Sequence, residues 1–387
     1  MLDRSIGKKM TNSGQKLERK VKDILEKTVG KTFSWKNKQF TLRDWGKPMG
    51  QKTGETKTDF WLVLEEQDSE KLEIVKISGK QRNMSAVQNK LTKEWVSVIY
   101  GKNWKEHLKD QISKIILKDG FKKDKLVNFS KKKITLGYRH EIMYEPKSGR
   151  ERGMKTSPEI YKSVFCGDGF PDEYVHGKMK NLSNSTKDKL KKIKLIDEAN
   201  NNIVKNSGIP DYVIKTNADE IDTVEDILSN LQPIEEFSKK YKDDLVDAFY
   251  AHNYRMDWTA TCKHCNGHYR VLKKNVIKGD MIVGLETGDG CPHCHERGRK
   301  DESSVPIQGG KRSLAIWIMW TVVNGKLDGV PILDEPHEKI ADDVLINLRN
   351  CLLKIGIEDD DNFKIEMLKD KVTERTFHNI IGENLTG

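Results

Sequence analysis

Two charged side chains on neighbouring strand-like runs carry the first chemical signal in this sequence. Asp59 heads an apolar run, Phe60 to Leu64, and Lys76 lies inside a second run, Leu72 to Ser78, beyond a charged, turn-like break. A carboxylate that holds a divalent cation, beside a lysine that steadies the attacking water or the phosphate, equips a metal-dependent phosphodiesterase. Strand alternation puts Ile74, Lys76 and Ser78 on one face and turns Glu73 to the other. A second signal lies far downstream, in Cys262-Lys-His-Cys265 and Cys291-Pro-His-Cys294, two C-x2-C pairs with 25 residues between them. Four thiolates in two such knuckles make a closed tetrahedral Zn2+ site of the zinc-ribbon kind.

Competing chemistry for the cysteines is weaker. His268, His293 and His295 lie near the pairs. An HNH-type nuclease would also need an Asn on a strand–strand–helix unit, which the sequence does not place. A redox role would need a thioredoxin-like strand–helix pattern around one pair, and none is present. Cys166 and Cys351 stand alone and are expected to be ordinary core or surface thiols.

The elements that must position the acid and the lysine follow from periodicity. Residues 14–29 read as a helix after Ser13, with Leu17, Val21, Ile24 and Leu25 on one face and a basic opposite face. Glu18 lies in its first turns, one residue from the apolar stripe, where it can serve either the helix dipole or a site. Residues 33–45 alternate as a short hairpin, and the Gly/Lys-rich loop GKPMGQKTGETK leads into Asp59. Beyond the 59–78 strand pair, helices are expected at 86–100, with Ser85 as N-cap, and at 104–118, followed by a strand at 134–143. Residues 181–208 are the most linker-like part of the chain. Helices are expected again at 223–231, 233–251 and 338–355, and the apolar run 314–323 must be buried as strand or helix.

Length and charge bound the rest. A chain of 387 residues is expected to hold two or three domains. Residues 1–150 carry 35 Lys and Arg against 19 Asp and Glu, a balance of +16, whereas 151–387 carry 34 against 40, a balance of −6. So basic an N-terminal portion suits a polyanion such as double-stranded DNA, although a solvated Lys-rich surface has the same composition. No apolar run reaches the roughly 18 residues of a membrane helix, and the first residues, MLDRSIGKKM, lack a signal-peptide core, so a cytoplasmic protein is expected.

Taken together, Ser13-Gly14-x-x-Leu17-Glu18 on a helix, then Lys57-Thr58-Asp59, then Val75-Lys76-Ile77-Ser78, resemble the PD-(D/E)XK nuclease superfamily, in particular type II restriction endonucleases and related phage or mobile-element enzymes. The resemblance covers roughly residues 10–100. It implies an α/β, restriction-endonuclease-like core, a central mixed sheet flanked by helices, over 1–150. A loop-rich DNA-contacting region would follow over 151–208. A mainly helical C-terminal domain would occupy 209–387, with the four-cysteine zinc module at about 255–300. Position by position, the resemblance implies Glu18 and Asp59 as Mg2+ ligands and Lys76 as the catalytic lysine.

One position departs from the pattern. Two residues before Lys76 the superfamily has an acid, and this chain has Ile74. Glu73 can still reach the metal through a bulge. Alternatively Glu18 replaces the missing ligand, Ser78 and Gln88 complete a variant site, or the catalytic lysine is Lys80 in the frame Ser78-Gly79-Lys80. The activity implied is Mg2+-dependent hydrolysis of DNA, with a homodimer as the simplest way to cut two strands. The competing expectation, which Ile74 motivates, is a zinc-containing DNA-binding protein with a degenerate nuclease core.

Overall fold

The computed structural model describes residues 4–51, 56–69, 71–82, 86–88, 91–117, 121, 124–130, 133–144, 153–179, 182–196, 199–200, 202–255, 312–358 and 364–380, and four short strands within 259–282. The fold is mixed α/β. The chain separates into two compact units that interleave along the sequence: residues 1–87 with 157–245, and residues 88–156 with 246–387. This division differs from cuts at 150 and 208, the second of which falls inside the first unit.

The first unit opens with helix α1 (Arg4–Thr28), longer than the expected 14–29 at its N-terminal side. Strands β1 (Thr32–Trp35) and β2 (Lys38–Gly46) form the expected hairpin, with Lys36 and Asn37 at positive φ in the turn. Strands β3 (Phe60–Glu66) and β4 (Leu72–Gln81) follow as an antiparallel pair. Later come helix α2 (Asn184–Lys192), strand β5 (Tyr212–Thr216), helix α3 (Val224–Ser229), strand β6 (Leu231–Pro233) and helix α4 (Ile234–Tyr241). The six strands make one sheet in the order β1-β2-β3-β4-β5-β6, with β4 and β5 parallel and the other pairs antiparallel.

Alternation divides that sheet into two buried faces, since successive side chains of a strand point opposite ways. Phe60, Leu62, Leu64, Val75 and Ile77 pack with Leu17, Val21 and Leu25 of α1 and with Val224, Ile227 and Leu228 of α3. Trp61, Val63 and Ile74 face the other way, into a cluster with Met179, Leu182, Leu190, Ile196 and Val204. Residues 181–208 are therefore not a linker. Their polar composition hides a one-sided helix, capped by Ser183, whose Thr186 and Leu190 are buried.

In the second unit, strands Lys326–Ile332, Ile316–Val323, Lys133–Met143, Val246–Arg255 and Gly153–Lys155 lie side by side in that order. Helices Lys93–Tyr100, Trp104–Leu117 and Ala341–Lys354 belong to the same unit. The expectation of a mainly helical C-terminal region is corrected: strands Val246–Arg255, Ile316–Val323 and Lys326–Ile332 share it with the helix Ala341–Lys354. The expected helix 233–251 ends at Tyr241, and the chain re-enters as a strand at Val246 because Asp247 and Phe249 are both buried there in sheet pairing. A short apolar run of this kind fits strand and helix equally well by periodicity. Likewise 86–100 is not one helix: Ala86–Gln88 is a strand, the helix begins at Lys93 with Thr92 as its cap, and Ser85 lies outside the described residues.

The buried Asp247 carboxylate is satisfied by the Tyr100 hydroxyl, by His140 Nε2 at 2.6 Å and by His107 Nε2 at 3.2 Å. A buried charge needs this many partners, and the network ties helix residues to the sheet of the second unit. Cys351 is a buried thiol against the Trp320 carbonyl oxygen, 3.2 Å away, as expected of an ordinary core cysteine. Among the described residues no helix is long and apolar enough to cross a membrane.

Candidate active site

Register decides which side chains meet. Strands β3 and β4 pair Trp61 with Lys76 and Phe60 with Ile77, and the Asp59 N–H donates to the Ile77 carbonyl oxygen at 2.9 Å. One step further along that register, Asp59 stands opposite Ser78. The Asp59 carboxylate accepts from the Gly79 N–H at 2.7 Å and from the Ser78 hydroxyl at 3.4 Å. Gly79 leaves room for this arrangement, because a Cβ there would lie 3.2 Å from the Phe60 ring and 3.7 Å from the Asp59 carboxylate.

The electrostatics of Asp59 are those of an acid in a cationic recess. Burial pushes its carboxyl above the ordinary carboxylate range, and the charge of Glu18 acts in the same direction. The Lys80 and Lys47 ammonium groups and the Gly79 N–H pull it back. Glu18, half-exposed on α1, is 3.3 Å from Lys47. Lys57, two residues before Asp59, sits against Lys80. Burial, followed by the Lys80 charge, brings its ammonium down to about 7. Lys57, Ser78 and Lys80 line one recess, walled on its apolar side by Val164, Phe165 and Phe237. Cys166 adjoins this region with its thiol pushed up by burial, the opposite of a reactive cysteine.

Lys76 and Glu73 are placed elsewhere. Lys76 Nζ is 3.1 Å from Asp211 Oδ1 and donates to the Asn206 carbonyl oxygen at 3.0 Å. Among charged side chains, Lys80 is the one that draws the Asp59 carboxyl down most. Glu73 pairs with Lys36 at 3.3 Å and stands opposite Leu64, on the face packed by α1. No bulge interrupts the β3–β4 register to bring it to Asp59. Ile74 stands opposite Val63 and packs against the cluster around Trp61. The position two before Lys76 thus belongs to the core, which is why it is apolar. Two residues past Lys76 the same strand reaches the acid, and Ser78-Gly79-Lys80 is the frame that lies beside Asp59.

Backbone contacts hold the loop before Asp59. The N–H groups of Lys57 and Thr58 both donate to the Gly208 carbonyl oxygen, each at 3.1 Å. The Thr56 hydroxyl donates to the Pro48 carbonyl oxygen at 3.0 Å. Gly208 must be glycine, because a Cβ there would lie 2.1 Å from the Tyr174 carbonyl oxygen. Nothing in the local sequence pattern pairs residues 56–58 with 208, so only the fold brings this support into view.

Among the described residues, no three His, Cys, Asp or Glu side chains come together as a metal site. Cys262, Cys265, Cys291 and Cys294 lie outside the described residues, as do His293 and His295. Comparison of the chain with protein-family models, curated protein sequences and solved structures finds no match.

Proposed function

We propose that this protein is a Mg2+-dependent DNA endonuclease whose active site is the Asp59 end of β3 with Ser78-Gly79-Lys80 on β4. The observation that carries this reading is the Asp59 carboxylate, fixed by the Gly79 N–H at 2.7 Å with Lys80 beside it. The donor set fits the cation: Mg2+ is commonly held by one or two carboxylates and completes its shell with water and substrate phosphate, so three protein acids are not required. Asp59 and Glu18 would hold it, with the Ser78 hydroxyl as a neutral oxygen where an acid is usual. When bound, Mg2+ supplies Lewis acidity at the scissile phosphate and makes the attacking water a stronger acid.

The chain's own groups do the positioning. The Gly79 N–H orients the Asp59 carboxylate, and the Lys80 ammonium offsets negative charge that develops on the phosphoryl oxygens. The basic balance of residues 1–150 supports attraction of the DNA backbone. The two C-x2-C pairs are proposed to hold a structural Zn2+, and a homodimer would place two such active sites on one duplex.

Ser78 in place of an acid favours one alternative, a DNA-binding protein that has lost catalysis. Supercoiled plasmid separates the two. Mg2+ is expected to give nicked and linear DNA and EDTA to stop the reaction. Plasmid that is retained on the protein but stays supercoiled in both Mg2+ and Mn2+ would establish the alternative.

A further inference from the structure

We propose that the contact between His337 and His140 is an acid-sensitive latch in the second unit, closed while His337 is neutral and opened when it takes a proton. The latch goes beyond the nuclease reading and does not rest on it. Asp247, His140 and His337 form a buried chain, with the first two fully buried and His337 only 3 % exposed. His140 Nε2 lies 2.6 Å from the Asp247 carboxylate, and His140 Nδ1 lies 3.4 Å from His337 Nε2. Two ring nitrogens that face each other share one proton, because an N–H must meet a lone pair. Positive charge on the pair is best placed on His140, beside the carboxylate. A second charge, on His337, sets N–H against N–H and leaves two buried cations to share one anion. Asp247 cannot turn to serve it, being already engaged by the Tyr100 hydroxyl and by His107 Nε2 at 3.2 Å.

The surroundings of His337 work in the same direction. Burial, followed by the charge of His140, holds its imidazole well below the ordinary histidine range, against the Leu91 backbone and the Asp247 charge, which favour the proton. The helix Trp104–Leu117 offers the Trp104 ring, with 6.3 Å between ring centroids. In the segment of His337 itself, Glu338 is engaged by Lys93 and Lys105, Asp334 by Lys109, and the charge of Glu335 acts on Lys105. The latch also has something to hold. His337 has a φ of 61°, a left-handed conformation that persists while its surroundings enforce it. Its N–H donates to the Leu314 carbonyl oxygen at 2.9 Å, and strand Lys339–Ile340 pairs with Ser313–Leu314. Ser313 and Leu314 follow the stretch of sequence that contains both C-x2-C pairs, so the latch lies where the chain rejoins the sheet beyond it.

Once the latch opens, His337 takes a proton near the ordinary histidine value, about 6.5, whereas the closed unit keeps it bare. The latch is therefore at full strength above that pH and weakens below it, because the open state binds a proton that the closed state refuses. One proton corresponds to a rise of about tenfold in the opening equilibrium between about pH 7.5 and pH 5.5. The test is amide hydrogen exchange of the full-length protein over that range, corrected for the intrinsic rate at each pH and read at residues 312–316 and 335–341. In wild type, opening of both segments is expected to rise about tenfold, while residues 60–66 of the first unit change by less than about twofold. His337→Gln, whose side-chain amide still donates to His140 Nδ1 but does not titrate, is expected to stay within about twofold throughout. His337→Phe keeps a ring without a titratable group; it is expected to respond as flatly and replaces the glutamine variant should that one not fold. A flat wild-type response, or a rise that persists in a folded variant without the imidazole, overturns the latch. An equal rise at residues 60–66 does so too, because it reports general acid unfolding.

Discussion

Asp59→Ala is expected to lower single-turnover DNA cleavage by about a thousandfold or more while the protein stays folded. The substitution removes the carboxylate that the site places beside Lys80 and leaves Glu18 as the remaining acid for the cation. The fold should tolerate it. Asp59 is a poorly solvated acid whose carboxyl burial pushes up, so the native state gains little from its charge. The lost bonds are one backbone N–H and one hydroxyl, both part-buried. Stability within about 1 kcal/mol of wild type is therefore expected from equilibrium denaturation. Cleavage within tenfold of wild type, in protein free of contaminating nuclease, would remove Asp59 from the active site; the threshold is about 1.4 kcal/mol of barrier.

The two lysines of β4 should separate cleanly. Lys80→Ala is expected to lower the cleavage rate by about a hundredfold, the usual cost of losing one charged donor to a developing oxyanion, with little change in stability. Lys76→Ala is expected to do the opposite. It strips Asp211 of its partner and leaves the Asn206 carbonyl oxygen without that donor. Burial already pushes the Asp211 carboxyl up, and Lys76 is what draws it back. Because Asp211 remains 45 % exposed, water compensates part of the loss. A destabilisation of about 1–2 kcal/mol is expected, with cleavage per folded molecule nearly unchanged. A catalytic collapse in Lys76→Ala together with an active Lys80→Ala would return the lysine role to Lys76 and sink the Ser78-Gly79-Lys80 frame.

This contrast marks what local sequence can and cannot carry. The acid-led strand, its partner and their opposite faces are legible from alternation, which puts Ile74 and Lys76 on one face and Glu73 on the other, as the structure has them. Which lysine meets Asp59 is not legible, because it depends on how many residues the 66–72 turn consumes. That turn sets the register so that Trp61, not Asp59, stands opposite Lys76. Glu18 can be found from its place on α1, but its neighbour Lys47 comes from the loop after β2 and is joined to it only in space.

Longer-range features are hidden for a related reason. Strand β5 pairs in parallel with β4 across more than a hundred residues of chain, and a parallel partner leaves no turn to announce it. The helix of residues 184–192 looks like linker because only one side of it is buried, with Leu190 and Thr186 supplying that side. Between residues 233 and 251, Tyr241 to Asp244 is the break, and its lysine and aspartates suit a helix terminus and a solvated helix face alike. The cysteine spacing, by contrast, needs no register, and the proposal of zinc there rests on the pairs alone.

Metal placement offers the closing test. Fe2+ occupying a Mg2+ site generates oxidants that cut the polypeptide next to its ligands, so the chain itself reports where the cation sits. With ascorbate and peroxide, and without chelator, wild type is expected to break near residues 18, 57–60 and 78–80. Added Mg2+ should suppress those breaks and Asp59→Ala should abolish them. Breaks that ignore both Mg2+ and Asp59→Ala, or that fall around Lys76 and Asp211 and spare residues 57–60, would contradict a cation held by the Asp59 end of β3.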